Sequence, residues 1–236
     1  MKTEKVLLPS KGLLYPEGHP YANGEVELRY MTAKDEDILS SEKFIKEGKV
    51  VDELLKSLLV DNSGYDDLLV GDKNSIMFVA RILGFGPEYN IKLGTKDLNI
   101  NLEQLEPKEI DETLYQRGKN EFTFDTPIGG DKIHFKLLDH KTEQNLNKDI
   151  EGLKKLYPDN VPVLATTLKN IIVAVNGDKD KQVISKFVDE SLITRDSMAL
   201  RKHIKAITPD IDLNYKLEDG REIQVPITLE FFYPKM

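Results

Sequence analysis

The chain has 236 residues, of which 39% are hydrophobic and 31% charged, typical of a soluble globular protein large enough to bury a core. Its net charge is −8 and its Lys and Arg residues do not cluster, so we do not expect it to bind nucleic acid. It contains no cysteine, which excludes disulfides, thiolate catalysis and cysteine-ligated zinc.

The first 24 residues are rich in glycine and proline, which predicts an extended arm that needs a surface to lie against. The apolar residues of this arm are candidate contacts with a partner protein: Leu13, Leu14 and Tyr15. Neither the arm nor any later segment has an apolar run near the ~18 residues that span a membrane. We therefore expect a cytosolic protein without membrane contact.

Short elements follow the arm. The alternation of polar and apolar residues in Glu25–Tyr30 predicts a strand. Thr32, with Asp35 three residues later, predicts a capping box at the start of a short helix. The apolar positions of Val50–Leu59 recur at helical spacing and predict an amphipathic helix.

The stretch from Leu68 to Tyr89 predicts a longer helix. Asp72 is expected to be its N-cap, and Gly84 the residue that follows its C-terminus. Arg81 is the only charged residue between positions 76 and 83, so the helix is apolar on nearly every side. Such a helix is usually buried, and we expect it to lie at the centre of the N-terminal core.

Arg81 has two interpretations. Burying an unpaired guanidinium would cost several kcal/mol, so an ion pair with a carboxylate is favoured. The acidic segments 35–37 and 66–67 both offer such a carboxylate, and the sequence does not choose between them. The alternative is that Arg81 binds an anion or a partner protein.

Gly71, Lys73 and Ser75 stand at the mouth of this helix, where nucleotide-binding proteins hold phosphate. The spacing does not fit the G-x-x-x-x-G-K-[ST] pattern, since Asp72 directly follows Gly71. A carboxylate at a helix N-terminus also repels an anion. Structural capping is therefore favoured, and the alternative is a phosphate- or nucleotide-binding enzyme that uses these mouth residues together with Arg81.

The rest of the chain predicts small β elements and short helices. Asn90–Leu105 is expected to form two strands around Gly94, and Glu121–Leu138 a hairpin. An Asp-Gly turn at positions 219–220 predicts a further hairpin between Ile211 and Phe232. We expect one further strand, Ile171–Val175. We also expect four further helices: Thr142–Leu156, Val163–Lys169, Lys181–Glu190 and Asp196–Ala206.

Together these elements predict an α+β fold, with a helical N-terminal core, small antiparallel hairpins and a C-terminal β-hairpin. We divide the chain into three segments. Residues 1–89 form the arm, a strand and the helical core, residues 90–138 a small β region, and residues 139–236 helices that end in the hairpin.

Three consecutive aromatic residues lie near the C-terminus: Phe231, Phe232 and Tyr233. A strand cannot turn three consecutive side chains to one face, so they predict either a strand buried on both faces or an exposed anchor for another protein. We keep both interpretations and treat the three residues as candidate partner contacts.

Catalytic and metal-binding patterns do not emerge from the sequence. The four histidines have no metal-ligand spacing, and neither H-E-x-x-H nor G-x-S-x-G is present. We therefore expect no enzyme activity, no cofactor and no metal.

Several segments of the chain carry a family resemblance. They are LPSKGLLYP (Leu8–Pro16), RYMTAKDEDIL (Arg29–Leu39), GKVVDELLKSLL (Gly48–Leu59), LLVGDKNSIMFVARILGFGPEY (Leu68–Tyr89), TRDSMALRKHI (Thr194–Ile204) and VPITLEFFYP (Val225–Pro234). In this order they resemble the baseplate protein family of T-even-like contractile-tailed phages. The second and fourth segments are the most specific, whereas the hairpins and residues 140–190 add little.

The resemblance implies a subunit of the baseplate hub or an assembly factor of the hub. Such a protein docks to other hub or tail proteins and catalyses nothing. It works in the host cytoplasm during assembly, and either stays in the virion tail baseplate or leaves as a transient chaperone. The resemblance leaves open whether the protein forms a homo-oligomer.

One departure from the family concerns zinc. Many members carry C-x-x-C pairs after the glycine-rich stretch and in the C-terminal hairpin, as if to hold a zinc ion. Here the corresponding segments, Asn90–Leu105 and Asp212–Gln224, contain neither Cys nor His. A metal site therefore does not carry over, and we expect hydrophobic packing to stabilise these hairpins.

Overall fold

The computed structural model describes residues 2–93, 96–217, 220–227 and 229–232. Helices and short antiparallel strand pairs alternate along these residues, and the fold is α+β, as predicted. In chain order the elements are β1 (Thr3–Leu7), β2 (Glu25–Arg29), α1 (Ala33–Leu39), α2 (Glu42–Lys46), α3 (Val50–Leu58), α4 (Val70–Phe85), β3 (Glu88–Leu93), β4 (Lys96–Asn101), β5 (Phe122–Asp125), β6 (Lys132–Phe135), α5 (His140–Leu156), α6 (Val163–Ile171), β7 (Ile172–Val175), α7 (Lys181–Lys186), α8 (Thr194–Ile207), β8 (Asn214–Lys216) and β9 (Glu222–Gln224).

The strands pair as antiparallel neighbours. β1 pairs with β2, β3 with β4 and β8 with β9, while β5, β6 and β7 form a three-stranded sheet in that order. The hairpin predicted over Glu121–Leu138 is confirmed as β5 and β6. The two strands predicted in Asn90–Leu105 are confirmed as β3 and β4, although Gly94 itself lies outside the described residues.

The helix predicted between Leu68 and Tyr89 is confirmed as α4, and half of its 16 residues are buried. Its start differs from the prediction, because α4 begins before Asp72, which therefore lies in the first turn and is not the N-cap. Gly71 lies in the same turn. A Cβ on Gly71 would lie 1.8 Å from the carbonyl oxygen of Pro209, so glycine allows α4 to approach the chain after α8.

The end of α4 also differs from the prediction. The helix continues through Gly84 to Phe85, so Gly84 is not the residue that follows it. Gly86 ends the helix with a φ of 82°, which glycine adopts without strain. Gly84 has another role, since a Cβ there would lie 2.5 Å from the sulfur of Met31.

The N-terminal arm is folded rather than extended. Its first residues form β1, which pairs with β2, and residues 8–24 follow as successive turns. Leu14 and Tyr15 are 3% and 4% exposed and belong to this chain's own hydrophobic core. Their prediction as partner contacts is therefore wrong, because the core already covers them. Leu13 is half-buried and stays a prediction.

The C-terminal aromatic segment is also part of the core. The predicted strand ends at Gln224, and Phe231 and Phe232 lie in a short 3₁₀ turn instead. Both side chains are buried, and the Phe231 ring centroid lies 4.9 Å from that of Phe78. The partner-contact prediction is therefore wrong for Phe231 and Phe232. Tyr233 lies outside the described residues.

The four later helices predicted from the sequence are confirmed as α5, α6, α7 with the π-helical turn that follows it, and α8. One contiguous hydrophobic cluster runs through all three predicted segments. It includes Leu55 of the first segment, Phe135 of the second and Leu200 of the third, each of them fully buried. The segments therefore share a core, and β6 and β7 carry the sheet from the second segment into the third.

Candidate functional site

A buried carboxylate at the mouth of α4 fastens the N-terminal turns to the helix. The two oxygens of Asp72 accept three hydrogen bonds. Ser10 donates its backbone N–H to Oδ1 at 2.9 Å and its hydroxyl to Oδ2 at 2.6 Å, and Tyr15 donates its hydroxyl to Oδ2 at 2.7 Å. The Tyr15 oxygen in turn accepts the backbone N–H of Leu69 at 2.9 Å, which satisfies a donor at the start of α4.

The charge of this carboxylate bears on the predicted phosphate site. Burial raises the pKa of Asp72 to about 6, although the hydrogen bonds from Ser10 and Tyr15 act to lower it. At neutral pH the carboxylate is therefore ionised, and it lies at the positive end of α4. A phosphate at this mouth would meet a buried negative charge.

Lys73, the next residue of the mouth, lies in a cluster of polar side chains. Its ammonium forms an ion pair with the carboxylate of Glu143 and lies 3.6 Å from Oδ1 of Asp52. His140 is fully buried, with Nδ1 3.5 Å from the Lys73 Nζ. The Tyr65 ring packs edge-on against His140 and donates its hydroxyl to Oδ1 of Asp52 at 2.9 Å.

This cluster joins α3, α4 and α5, and its carboxylates balance the positive charge of Lys73. Burial acts to raise the pKa of Glu143, but the hydrogen bond to His140 and the charge of Lys73 lower it below its ordinary value. Burial and the neighbouring Asp52 raise the pKa of Tyr65. The Lys73 ammonium is thus held by carboxylates of the protein itself.

A second buried ion pair lies at the start of α1. Asp35 accepts hydrogen bonds from the guanidinium of Arg29 at 2.7 and 2.6 Å, and from the hydroxyl of Ser57 at 3.0 Å. It also accepts the backbone N–H of Thr32 at 2.8 Å, so the predicted capping by Thr32 and Asp35 is confirmed. The Arg29 hydrogen bonds, with those from Thr32 and Ser57, hold the pKa of Asp35 well below its ordinary value despite burial.

Arg81 is buried but has different partners from those predicted. Its Nε donates to the carbonyl oxygen of Phe231 at 2.7 Å, Nη1 to that of Gly86 at 2.7 Å, and Nη2 to that of Glu88 at 3.0 Å. Backbone carbonyls therefore replace the predicted carboxylate. Burial lowers the pKa of the guanidinium from its ordinary value, and the three oxygens supply the compensating polar contacts.

Exposed apolar side chains lie away from the predicted contact residues. Four of them flank the loop between α5 and α6: Leu156 (72% exposed), Tyr157 (56%), Val163 (47%) and Leu164 (46%). We name these four residues the α5–α6 edge. Exposed apolar residues often mark an interaction site, and these four fall within nine residues of sequence, so this edge is a candidate docking surface.

Sequence reasoning missed the roles of two buried groups, since it predicted Asp196 only as the N-cap of α8, a position that Ile193 takes. Asp196, in the first turn of α8, accepts the backbone N–H groups of Ile128 (3.0 Å) and Gly129 (2.8 Å) and so holds the turn between β5 and β6. His140 lies at the centre of the Lys73 cluster. An acid such as Asp196 in the first helical turn indicates where a helix starts, but not which distant backbone groups it binds. The residues next to His140 in the sequence do not indicate that its side chain is buried among charged groups.

Among the residues that the structure describes, no group of three or more His, Asp or Glu side chains is arranged to hold a metal ion. Within the same ranges, no helix is long and apolar enough to cross a bilayer. Comparison of the chain with protein-family models, curated proteins and solved structures found no match. A functional assignment therefore depends on the resembling segments and on the geometry above.

Proposed function

We propose that this chain is a non-catalytic subunit or assembly factor of a phage baseplate hub, which acts by docking to other hub or tail proteins. The ordered segments that resemble the baseplate family support the proposal, and one observation carries it: the buried polar groups of these segments bind one another. Tyr15 of the first segment donates to Asp72 of the fourth. Ser57 of the third donates to Asp35 of the second.

The last resembling segment joins the same unit. Phe231 accepts a hydrogen bond from Arg81 of the fourth segment across 150 residues of sequence. Five of the six resembling segments are thus joined in pairs by hydrogen bonds, so the proposal concerns one folded protein and not separate short pieces.

The alternative, a nucleotide-binding enzyme, finds less support in the same contacts. Lys73 is paired with Glu143, and Arg81 binds backbone carbonyls. The Ser75 hydroxyl lies 3.4 Å from the carbonyl oxygen of Leu7, to which it donates. The groups that would bind phosphate are thus engaged within the protein, and Asp72 adds a negative charge at the mouth.

Docking needs an exposed surface, and the buried aromatic residues do not supply one. The α5–α6 edge does, since its four apolar side chains are exposed at the ends of α5 and α6. Apolar residues at the centre of an interface contribute most of the binding energy in many complexes. We therefore propose that the α5–α6 edge contacts a hub or tail protein.

Co-expression with the hub and tail proteins of the same phage, followed by affinity purification and size-exclusion chromatography, tests the proposal. We expect a stoichiometric complex with at least one of them, and Leu156→Asp should weaken it. Val60→Asp is the matched control, because Val60 is also exposed (58%) but lies outside the edge. Failure of every hub and tail protein to co-purify would overturn the proposal.

Titration with ATP and GTP, with and without magnesium, tests the alternative. The docking proposal expects no saturable binding. Saturable micromolar binding that Lys73→Ala abolishes would instead favour the enzyme. Mass spectrometry of purified virions then separates a permanent subunit from a transient chaperone, since only the permanent subunit stays in the particle.

A further inference from the structure

A cleft lies between α6, α8 and the chain that enters α4. Its volume is about 240 Å³, below the roughly 300–1,000 Å³ of most small-molecule sites and suited to one or two side chains. Its lining is mainly apolar, with these residues at its floor and walls: Leu69, Leu137, Leu138, Leu168, Ile171 and Ile204. Leu164 of the α5–α6 edge also lines the cleft, so the two apolar surfaces are continuous.

The rim of the cleft is basic. Arg201 and Lys205 line it from α8, one helical turn apart, and both are exposed. Within the described ranges neither forms an ion pair, and Arg201 donates only to the backbone carbonyl of Ser197 in its own helix, at 3.3 Å. Two like charges at this spacing repel each other. A carboxylate placed between them would relieve that repulsion.

Two other charged residues line the cleft, and both already have partners. Lys136 forms an ion pair with Asp139 at 3.2 Å. Asp210 accepts hydrogen bonds on Oδ1 from the side chain of Asn74 (3.1 Å) and from the backbone N–H of Ile211 (2.8 Å). The neutral donors do not cancel the charge of Asp210, but Arg201 and Lys205 outnumber it, so the lining is net positive although the whole chain carries a net charge of −8.

We propose that this cleft binds an acidic peptide segment of a partner protein. A bulky apolar side chain of the segment fills the cleft, and carboxylates beside it pair with Arg201 and Lys205. The inference rests on the proposed docking function and adds to it the chemistry of the partner. Binding of this kind combines an apolar anchor with charges that set orientation and association rate.

A random peptide library displayed on yeast and sorted against the purified full-length chain tests the inference. We expect enriched peptides to carry Asp or Glu beside Leu, Ile or Phe. Their affinity should fall about tenfold or more in the double variant R201E/K205E, and also fall at high salt, because the rim charges are exposed. Lys202→Glu is the matched control, because Lys202 is an exposed cation of the same helix that does not line the cleft.

A second variant separates the anchor from the charges. Leu164→Asp keeps both cations but adds a carboxylate to the apolar wall, so it should also lower the affinity of the peptides. Urea unfolding of each variant checks that it remains folded. Since the selection contains no phage protein, its result does not depend on whether hub proteins co-purify with the chain.

Three outcomes of the selection would overturn the inference. The library yields no binder, or the enriched peptides lack acidic residues, or they bind R201E/K205E as tightly as the original chain. A concentration-dependent dimer that R201E/K205E dissociates would also overturn it, because the occupant would then be a second copy of this chain. Light scattering of both proteins over a range of concentrations measures this.

Discussion

Tyr15→Phe deletes one oxygen atom from the buried network at the mouth of α4. That oxygen donates to Asp72 and accepts the backbone N–H of Leu69. A hydrogen bond to a charged group contributes about 1.5–3 kcal/mol, and a buried N–H left without an acceptor costs about 1–3 kcal/mol. The two losses share one site and do not add in full, so we expect the free energy of unfolding to fall by about 2–4 kcal/mol.

Urea unfolding at neutral pH, followed by circular dichroism, measures this change. The slope of free energy against urea concentration should stay the same, because the ring remains and the buried area hardly changes. Tyr157→Phe is the matched control. Tyr157 is 56% exposed, so losing its hydroxyl should change stability by less than about 0.5 kcal/mol.

A loss below about 1 kcal/mol in Tyr15→Phe would refute the reasoning, because one hydrogen bond to a buried charge should exceed it. A double-mutant cycle with Asp72→Asn gives a second check. Both changes disturb the same bond, so the double variant should lose less stability than the sum of the two single variants. Simple additivity would show that the Tyr15 hydroxyl and the Asp72 carboxylate are not coupled.

Three further predictions concern α4. Gly71→Ala should lower the free energy of unfolding in urea by about 3 kcal/mol, because the new Cβ would lie 1.8 Å from a backbone oxygen. Its control is Gly152→Ala in α5, which has open space around it and should raise stability by up to about 1 kcal/mol. The pKa of Asp72 is raised from 3.8 to about 6 by burial, so its contribution to stability should fall by about 2 kcal/mol as pH rises from 4 to 7. Asp72→Asn should remove that fall in the free energy of unfolding. If the free energy falls equally with pH in Asp72→Asn and in the original chain, the prediction is wrong. Arg81→Met removes the donor that these three carbonyl oxygens share, so it should lower the free energy of unfolding by about 3 kcal/mol in urea, and a loss below about 1 kcal/mol would argue against this role.

Local patterns were sufficient to predict most elements. The alternation in Glu25–Tyr30 gives a strand in which Val26 and Leu28 are buried, because successive side chains of a strand face opposite sides. The capping box at Thr32 depends on residues three apart, and it too is confirmed. Such features are encoded within a few residues, so sequence alone predicts them.

The errors fall on residues whose contacts are distant in sequence. Asp72 resembles an N-cap by its position, but its donor Ser10 lies 62 residues away. Arg81 was expected to need a carboxylate, yet three backbone carbonyls satisfy it, and no side-chain pattern marks a carbonyl. The aromatic residues Phe231 and Phe232 suggested an interface, because apolar residues look alike in a core and at an interface.

The same long-range contacts have a consequence for synthesis of the protein. Arg81 emerges early, but the carbonyl of Phe231 is made 150 residues later. At the usual 5–20 residues per second, α4 waits roughly 8–30 s on the ribosome for this partner. Of the three acceptors, only the carbonyls of Gly86 and Glu88 have been made during that interval. The central helix of the fold is therefore translated by residue 85, but its hydrogen bonds can be completed only once Phe231 has been made.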